Sequence, residues 1–341
     1  MNGKKTLAIV VLVLAAGLAV FLGVGRKPAG GGAREERVAV SGAWALYPMC
    51  VRWAEEYGKL HPEVRFDISA GGAGKGVTDA LTGAADIGMV SRDLAPAELE
   101  KGAWFVTVTK DAVVPMINAA HPRADKLLAK GATRETLAGI WVGGSVTTWG
   151  QVLGDGSTEA IAVFTRSDAC GAAETWAKYL GNKKQEDLKG KGVFGDPGLA
   201  AMVARDRLGI GFNNVNFAYD ARTGKPSAGV RPLPIDVDGS GAIEPGENFY
   251  ATRDELVKAI ADGRYPSPPA RGLHFVSKGA PARPVVTAFV RWILTDGQKF
   301  VPESGYVNLD AAQLDEQLGK LVAPAAPPAP PAPAGPVAPK P

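Results

Sequence analysis

Imidazoles and thiols are scarce in this chain of 341 residues, which has three histidines and two cysteines. Cys50 and Cys170 share no spacing signature, and His61, His121 and His274 stand beside no motif, so their pattern builds no zinc site. Two cysteines also exclude a disulfide framework; they either form one bridge or remain two free thiols. Aromatic residues make up only 7% of the chain and the formal net charge is just +3. Lysine and arginine nowhere run together among aromatics, so the electrostatic footprint of a nucleic-acid binder is missing and no nucleic-acid partner is expected. No internal repeat is visible, which argues against solenoids and propellers. What remains is 46% hydrophobic content, enough to bury one sizeable core or two smaller ones.

The two ends read differently from the middle. Lys4 and Lys5 precede an uncharged apolar stretch, Leu7 to Gly25, that ends at Arg26 and Lys27. Residues 1–29 are therefore expected to be a signal peptide or an N-terminal signal anchor. The apolar run approaches the span of a membrane helix, which favours an anchor holding the protein to the membrane through this segment. No cysteine follows it, so a lipid anchor is not supported. Residues 30–36 form a glycine-rich linker. After Leu321 alanine and proline dominate, and residues 322–341 are expected to be a disordered tail of extended, polyproline character. Such an organisation implies an extracytoplasmic location.

Between the ends, short apolar runs alternate with amphipathic stretches, the pattern of a mainly parallel sheet flanked by helices in an α/β fold. Strands are expected at Val38 to Val40, Arg65 to Ile68, Ile87 to Val90, Ile161 to Phe164 and Leu273 to Val276. Met49, Trp53 and Tyr57 recur at steps of four behind Pro48, and Ala173, Trp176, Ala177 and Leu180 repeat that logic. These apolar stripes are core faces.

The strand-to-helix junctions carry more information. Ser41 to Pro48, Gly71 to Gly76 and Thr165 to Gly171 each place small residues before a helix, where backbone N–H groups and the positive end of the helix dipole meet an anion. Taken singly, each is a tight turn as readily as a site. The second has neither the Lys-Ser/Thr ending of a P-loop nor a dinucleotide fingerprint.

In order, these junctions resemble the phosphate-binding (PstS-like) proteins of bacterial phosphate ABC transporters, in the type II periplasmic binding protein family. The matching features are the opening loop ending in Pro48 and the Trp53-Ala54-Glu55-Glu56-Tyr57 motif. Further on come Leu81, Gly83, Asp86, Ile87 and Gly88 closing on Ser91-Arg92, then Arg166 with Gly171, and the late stretch Phe289 to Tyr306. The resemblance implies two lobes, 37–115 plus 270–321 and 116–269, joined by two crossing strands around a ligand cleft. It also implies phosphate or a related oxyanion as ligand, an ABC permease in the inner membrane as partner, and no catalysis. Anion contacts would fall on Leu46, Tyr47, Ala73, Gly74, Ser91, Arg92, Arg166, Asp168, Cys170, Gly171 and Ala172. Hydroxyls usual in the family are absent at Leu46, Ala73, Cys170 and Ala172, and each lost hydrogen bond to a charged group costs about 1.5–3 kcal/mol. Either backbone N–H groups with Ser41, Lys75, Ser91, Arg92, Arg166 and Ser167 replace them, or the ligand differs. Asp168 favours a ligand that still carries a proton. Two other functions stay open: an anchored sensor or scaffold without transport, and a thiol hydrolase using Cys170 at a helix N-terminus.

Residues 236–247 carry a different signal. Asp236, Asp238, Ser240 and Glu244 stand at positions 1, 3, 5 and 9, Gly241 at 6, Ile243 at 8 and Glu247 at 12. The carbonyl of Ala242 completes the ligand pattern of an EF-hand calcium loop. Only the exit side is followed by a helical stretch, so an isolated loop holding structural Ca2+ is expected; the alternative is an acidic surface turn.

Overall fold

The computed structural model describes residues 35–322. The expected export segment, nearly all of the linker and the expected tail from 323 onward lie outside the described residues. Strand β1, Glu36–Gly42, begins at the last residue assigned to the linker.

Nine strands follow in the described chain: β1, β2 (Val64–Ala70), β3 (Ile87–Val90), β4 (Ala103–Asn118), β5 (Ala162–Arg166), β6 (Lys191–Val193), β7 (Gly209–Asn214), β8 (Val230–Pro232) and β9 (Ala270–Lys278). They line up as β2-β1-β3-β9-β4-β7-β5-β6, with β8 paired to β4. Strands linked through helices run parallel, as β1 with β3 and β5 with both β6 and β7. Pairings made by β4 and β9 are antiparallel. The sheet is therefore mixed rather than mainly parallel, because two strands that run between the lobes need no helical crossover to their neighbours.

β4 is the structural pivot. From Ala103 to Ala112 it pairs with β9, through a bulge between Thr107 and Thr109, and from Val113 to Ile117 it pairs with β7. One continuous strand thus leaves one sheet and enters the next. On one side of the switch lies a core containing Val38, Trp53, Met89, Val106, Phe275 and Phe289. On the other lies a core containing Val114, Trp141, Trp149, Trp176, Phe212 and Tyr265. The result is a two-lobed α/β fold whose first core draws on both early and late parts of the chain. Buried indoles are tied down by their N–H groups, Trp53 to the Gly297 carbonyl at 2.9 Å and Trp141 to the Phe164 carbonyl at 3.0 Å.

Cys50 belongs to the first core and Cys170 to the second, and both are free thiols. The bridge left open by the sequence does not form. No helix among the described residues is long and apolar enough to cross a membrane.

Candidate functional site

The three junctions meet where the lobes touch. Helix Ala73–Thr82 starts behind Gly72, and helix Tyr47–Leu60 starts behind Leu46 with Pro48 in its first turn; neither start has a side-chain cap. Their first N–H groups are left for backbone or ligand partners. Across the cleft, helix Gly171–Tyr179 is capped by the Cys170 sulfur, which accepts from the Ala173 N–H at 3.5 Å. The Ala169 carbonyl reaches over to the Gly74 N–H at 3.4 Å. Gly72 has φ +95°, and a Cβ there would lie 2.5 Å from the Ala169 oxygen; a Cβ at Gly171 would lie 2.3 Å from the Ser91 carbonyl oxygen. Glycine at these two places is what lets the lobes approach. Trp44 adds an edge-to-face contact with Phe194, at 6.4 Å between centroids.

Arg166 ends β5 with its side chain fully buried. Its Nε and Nη2 donate to Asp168 at 2.8 and 2.6 Å, and its Nη1 donates to Asp196 at 2.8 Å. Burial works against the guanidinium charge, but Asp196, Cys170 and Asp168 hold its pKa above the usual value. Asp196 opens helix Asp196–Arg205 and is itself buried. Burial raises its pKa against the pull of Arg166. Its other oxygen accepts from the Asn214 amide at 2.6 Å, and the Asn214 carbonyl accepts from Arg271, which also donates to Asp111 at 2.9 Å and to Thr175 at 3.1 Å. A buried polar chain therefore runs from the junction to the point where β4 changes partners. Gln185 holds the Asp168–Cys170 turn from behind, donating to the Asp168 carbonyl at 2.7 Å and accepting from the Cys170 N–H at 3.1 Å.

Asp196, Gln185, Asn214 and Arg271 were not legible as site residues. Only Asp196 carries a local signal, since Gly195-Asp196-Pro197 reads as a helix start. That signal does not say the carboxylate turns inward.

Arg92 is held as firmly as Arg166. Its Nη1 and Nη2 donate to Glu98 at 2.8 and 2.7 Å, and its Nε lies 3.0 Å from Glu174 of the opposite lobe. The Glu98 hydrogen bond is the main reason its pKa rises. Lys75 pairs with Asp79 and donates to Ser41 Oγ at 2.8 Å, while Ser41 donates to Asp79 at 2.6 Å. Leu46 and Ala73 sit in the first core and Ala172 in the second, with Tyr47 packed at the edge of the first. Ser91 is buried against Gly171. Ser167 is exposed and packs toward Gly192. The cations of the site thus already face carboxylates, so an incoming anion must exchange with them or rely on backbone N–H groups. Burial pushes the Cys170 thiol up to about 12, although Arg166 opposes the rise. A thiolate nucleophile is not favoured there.

In the acidic loop, Asp236, Asp238 and Glu247 each offer an oxygen within 4.8 Å of the others. The buried Asp236 carboxylate accepts from the N–H groups of Gly239, Ser240 and Gly241 at 2.8, 3.2 and 2.9 Å. Glu247 accepts from the Val237 N–H at 2.8 Å, while its other oxygen is buried without a partner. Ser240 Oγ donates to the Ala242 carbonyl at 2.9 Å, and Glu244 is exposed. Ile243 anchors the loop, its N–H donating to the Ala129 carbonyl at 2.8 Å and its side chain seated on Gly131.

Known proteins share this fold. Among curated relatives, protein SphX of Synechococcus elongatus is 25% identical, across 82% of this chain and 79% of its own length. The phosphate-binding protein PstS of Methanocaldococcus jannaschii is 24% identical, across 90% and 92%. Among solved structures, a putative phosphate ABC transporter substrate-binding protein with bound phosphate from Clostridium perfringens has a TM-score of 0.65. It is 22% identical, covering 81% of this chain and 100% of that one. A phosphate transport receptor from Vibrio cholerae has a TM-score of 0.58 at 22% identity, covering 80% and 100%. The family model described as a PBP superfamily domain matches residues 27–297. That match takes in β1 to β9 and every junction residue described above, and the chain belongs to the PBP superfamily, where it is similar to the PstS-type proteins.

Proposed function

We propose that the chain is an extracytoplasmic solute-binding protein that captures phosphate or a related oxyanion and hands it to an ABC permease. The observation that carries this reading is the meeting, from both lobes, of helix N-termini with a buried arginine, Arg166. Helix dipoles and unpaired N–H groups stabilise an anion there. Its phosphate-binding relatives point the same way. In this reading residues 37–115 with 270–321, and 116–269, are the lobes that close on the ligand, with β4 and β9 as the hinge. The residues bind and orient; none is assigned a catalytic step. A second reading, an anchored sensor or scaffold, draws on the departures: four missing hydroxyls and arginines already paired with carboxylates. Calorimetry of the full chain with orthophosphate, arsenate and sulfate tests the capture step on which the transport reading depends. One saturable site for orthophosphate or arsenate is expected; no binding of any of the three overturns the transport reading.

Within the same protein, the loop 236–247 is assigned one structural calcium ion. Asp236, Asp238, Ser240, Glu244 and Glu247 with the Ala242 carbonyl would supply its oxygens, and the partnerless Glu247 oxygen supports this. Calcium should raise the melting temperature, with stabilisation of about 2.7 kcal/mol at a hundred times the dissociation constant. Glu247→Gln should lose that rise. A wild-type melting temperature indifferent to calcium and to a chelator would show that the loop is only an acidic turn.

A further inference from the structure

Beside the sealed junction lies a second interlobe space, a groove of about 710 Å³ between the helix Gly171–Tyr179 with its following loop on one side and Arg92, Asp93 and the start of β9 on the other. Arg92, Glu174 and Gln185 belong to its wall and to the junction alike. Its size suits a whole small molecule, and a lone orthophosphate would leave most of it empty.

The lining states what kind of molecule. Arg92, Arg271 and Lys178 already face carboxylates, Glu174, Asp111 and Asp93 respectively. Lys183 and Lys184 do not: both are exposed and neither makes an ion pair among the described residues. Lys183 and Lys184 are consecutive in the chain and both line the groove, and two unpaired ammonium groups fit a phosphoryl group. Around them Asn182 and Glu186 offer an amide and a carboxylate, the groups that bind hydroxyls. Among the described residues no aromatic side chain lines the groove, so none of them would stack on a nucleobase. The geometry points to a binding site for a phosphorylated sugar or polyol, with the phosphoryl group on Lys183 and Lys184 and the hydroxyls along the carboxylate and amide wall. This site goes beyond the junction reading and does not depend on it.

The full chain should be titrated by calorimetry with glucose 6-phosphate, glucose, adenosine 5′-monophosphate and orthophosphate. Glucose 6-phosphate is expected to bind at least tenfold tighter than glucose or the nucleotide. The double variant Lys183→Ala/Lys184→Ala should lose at least tenfold for glucose 6-phosphate, with melting temperature and orthophosphate affinity unchanged. Orthophosphate binding without glucose 6-phosphate binding would overturn the groove site and spare the junction. The reverse pattern would spare the groove and overturn the junction. Equal affinity for the nucleotide, or a double variant that binds glucose 6-phosphate as before, would also end the proposal.

Discussion

Replacing Asp196 by alanine is expected to destabilise the protein by about 3–5 kcal/mol, because it leaves a buried guanidinium short of a partner. Arg166 has no exposed side-chain surface and Asp196 almost none. No water can take over the Nη1 hydrogen bond at that depth, and the Asn214 amide loses its acceptor in the same stroke. Asp196→Asn, which keeps a hydrogen-bonding oxygen of the same shape, should cost less. Urea unfolding of both variants measures the difference. A loss below about 1 kcal/mol in Asp196→Ala would mean that the Arg166 charge is not sealed between the lobes.

Acid should weaken the fold through His274. This residue lies on β9, bonded to Thr107 Oγ1 at 3.1 Å and set edge-on to Phe105. Burial lowers its pKa from 6.5 to about 4; Asp93 opposes the shift, while Lys320, Arg271 and Arg92 add to it. The folded state therefore binds the proton less well than the unfolded chain. The associated stability is complete above pH 6.5 and drains away as pH falls towards 4. A shift of this size amounts to about 3 kcal/mol in full, of which about 2 kcal/mol is gone by pH 5. His121, also lowered by burial, adds in the same direction. Denaturant midpoints at pH 7 and pH 5 read the effect. In His274→Gln most of the difference should disappear, and an unchanged slope in that variant would exclude His274 as its source.

Several elements could be read from residue order alone. Ile87 to Val90 is a strand to the residue, and the stripe Met49, Trp53, Tyr57 does face a core. These segments are local: periodicity and a proline or glycine at the boundary carry them. β4 escaped notice because Lys110, Asp111 and Pro115 interrupt its apolar pattern. Those residues are explained only by the strand's partners. Lys110 exchanges backbone hydrogen bonds with Val307, Asp111 meets Arg271, and Pro115 lies opposite Phe212. The site divides in the same way. Junction glycines and Arg166 announce themselves beside a helix start, whereas Asp196, Asn214 and Arg271 arrive from three separate strands and helices. Asp168 stands only two residues from Arg166, but the second carboxylate, Asp196, reaches it by tertiary contact that no local spacing encodes.

The continuity of β4 also sets an order of assembly. Every residue of the second core except Val307 lies between Ala112 and Ala270, while the first core needs Leu273, Phe289 and Leu309 to complete a sheet begun at Val38. As the chain emerges from its N-terminal end, the later lobe in sequence can close first. The earlier one must wait, its strands β1 to β3 unpaired on the side that β9 will cover. Closing that lobe means joining segments more than 180 residues apart, a long loop whose entropy must be met before its contacts form. During that interval an exposed strand edge is open to wrong partners. The lobe that comes first in the chain is therefore the one at greater risk of misfolding.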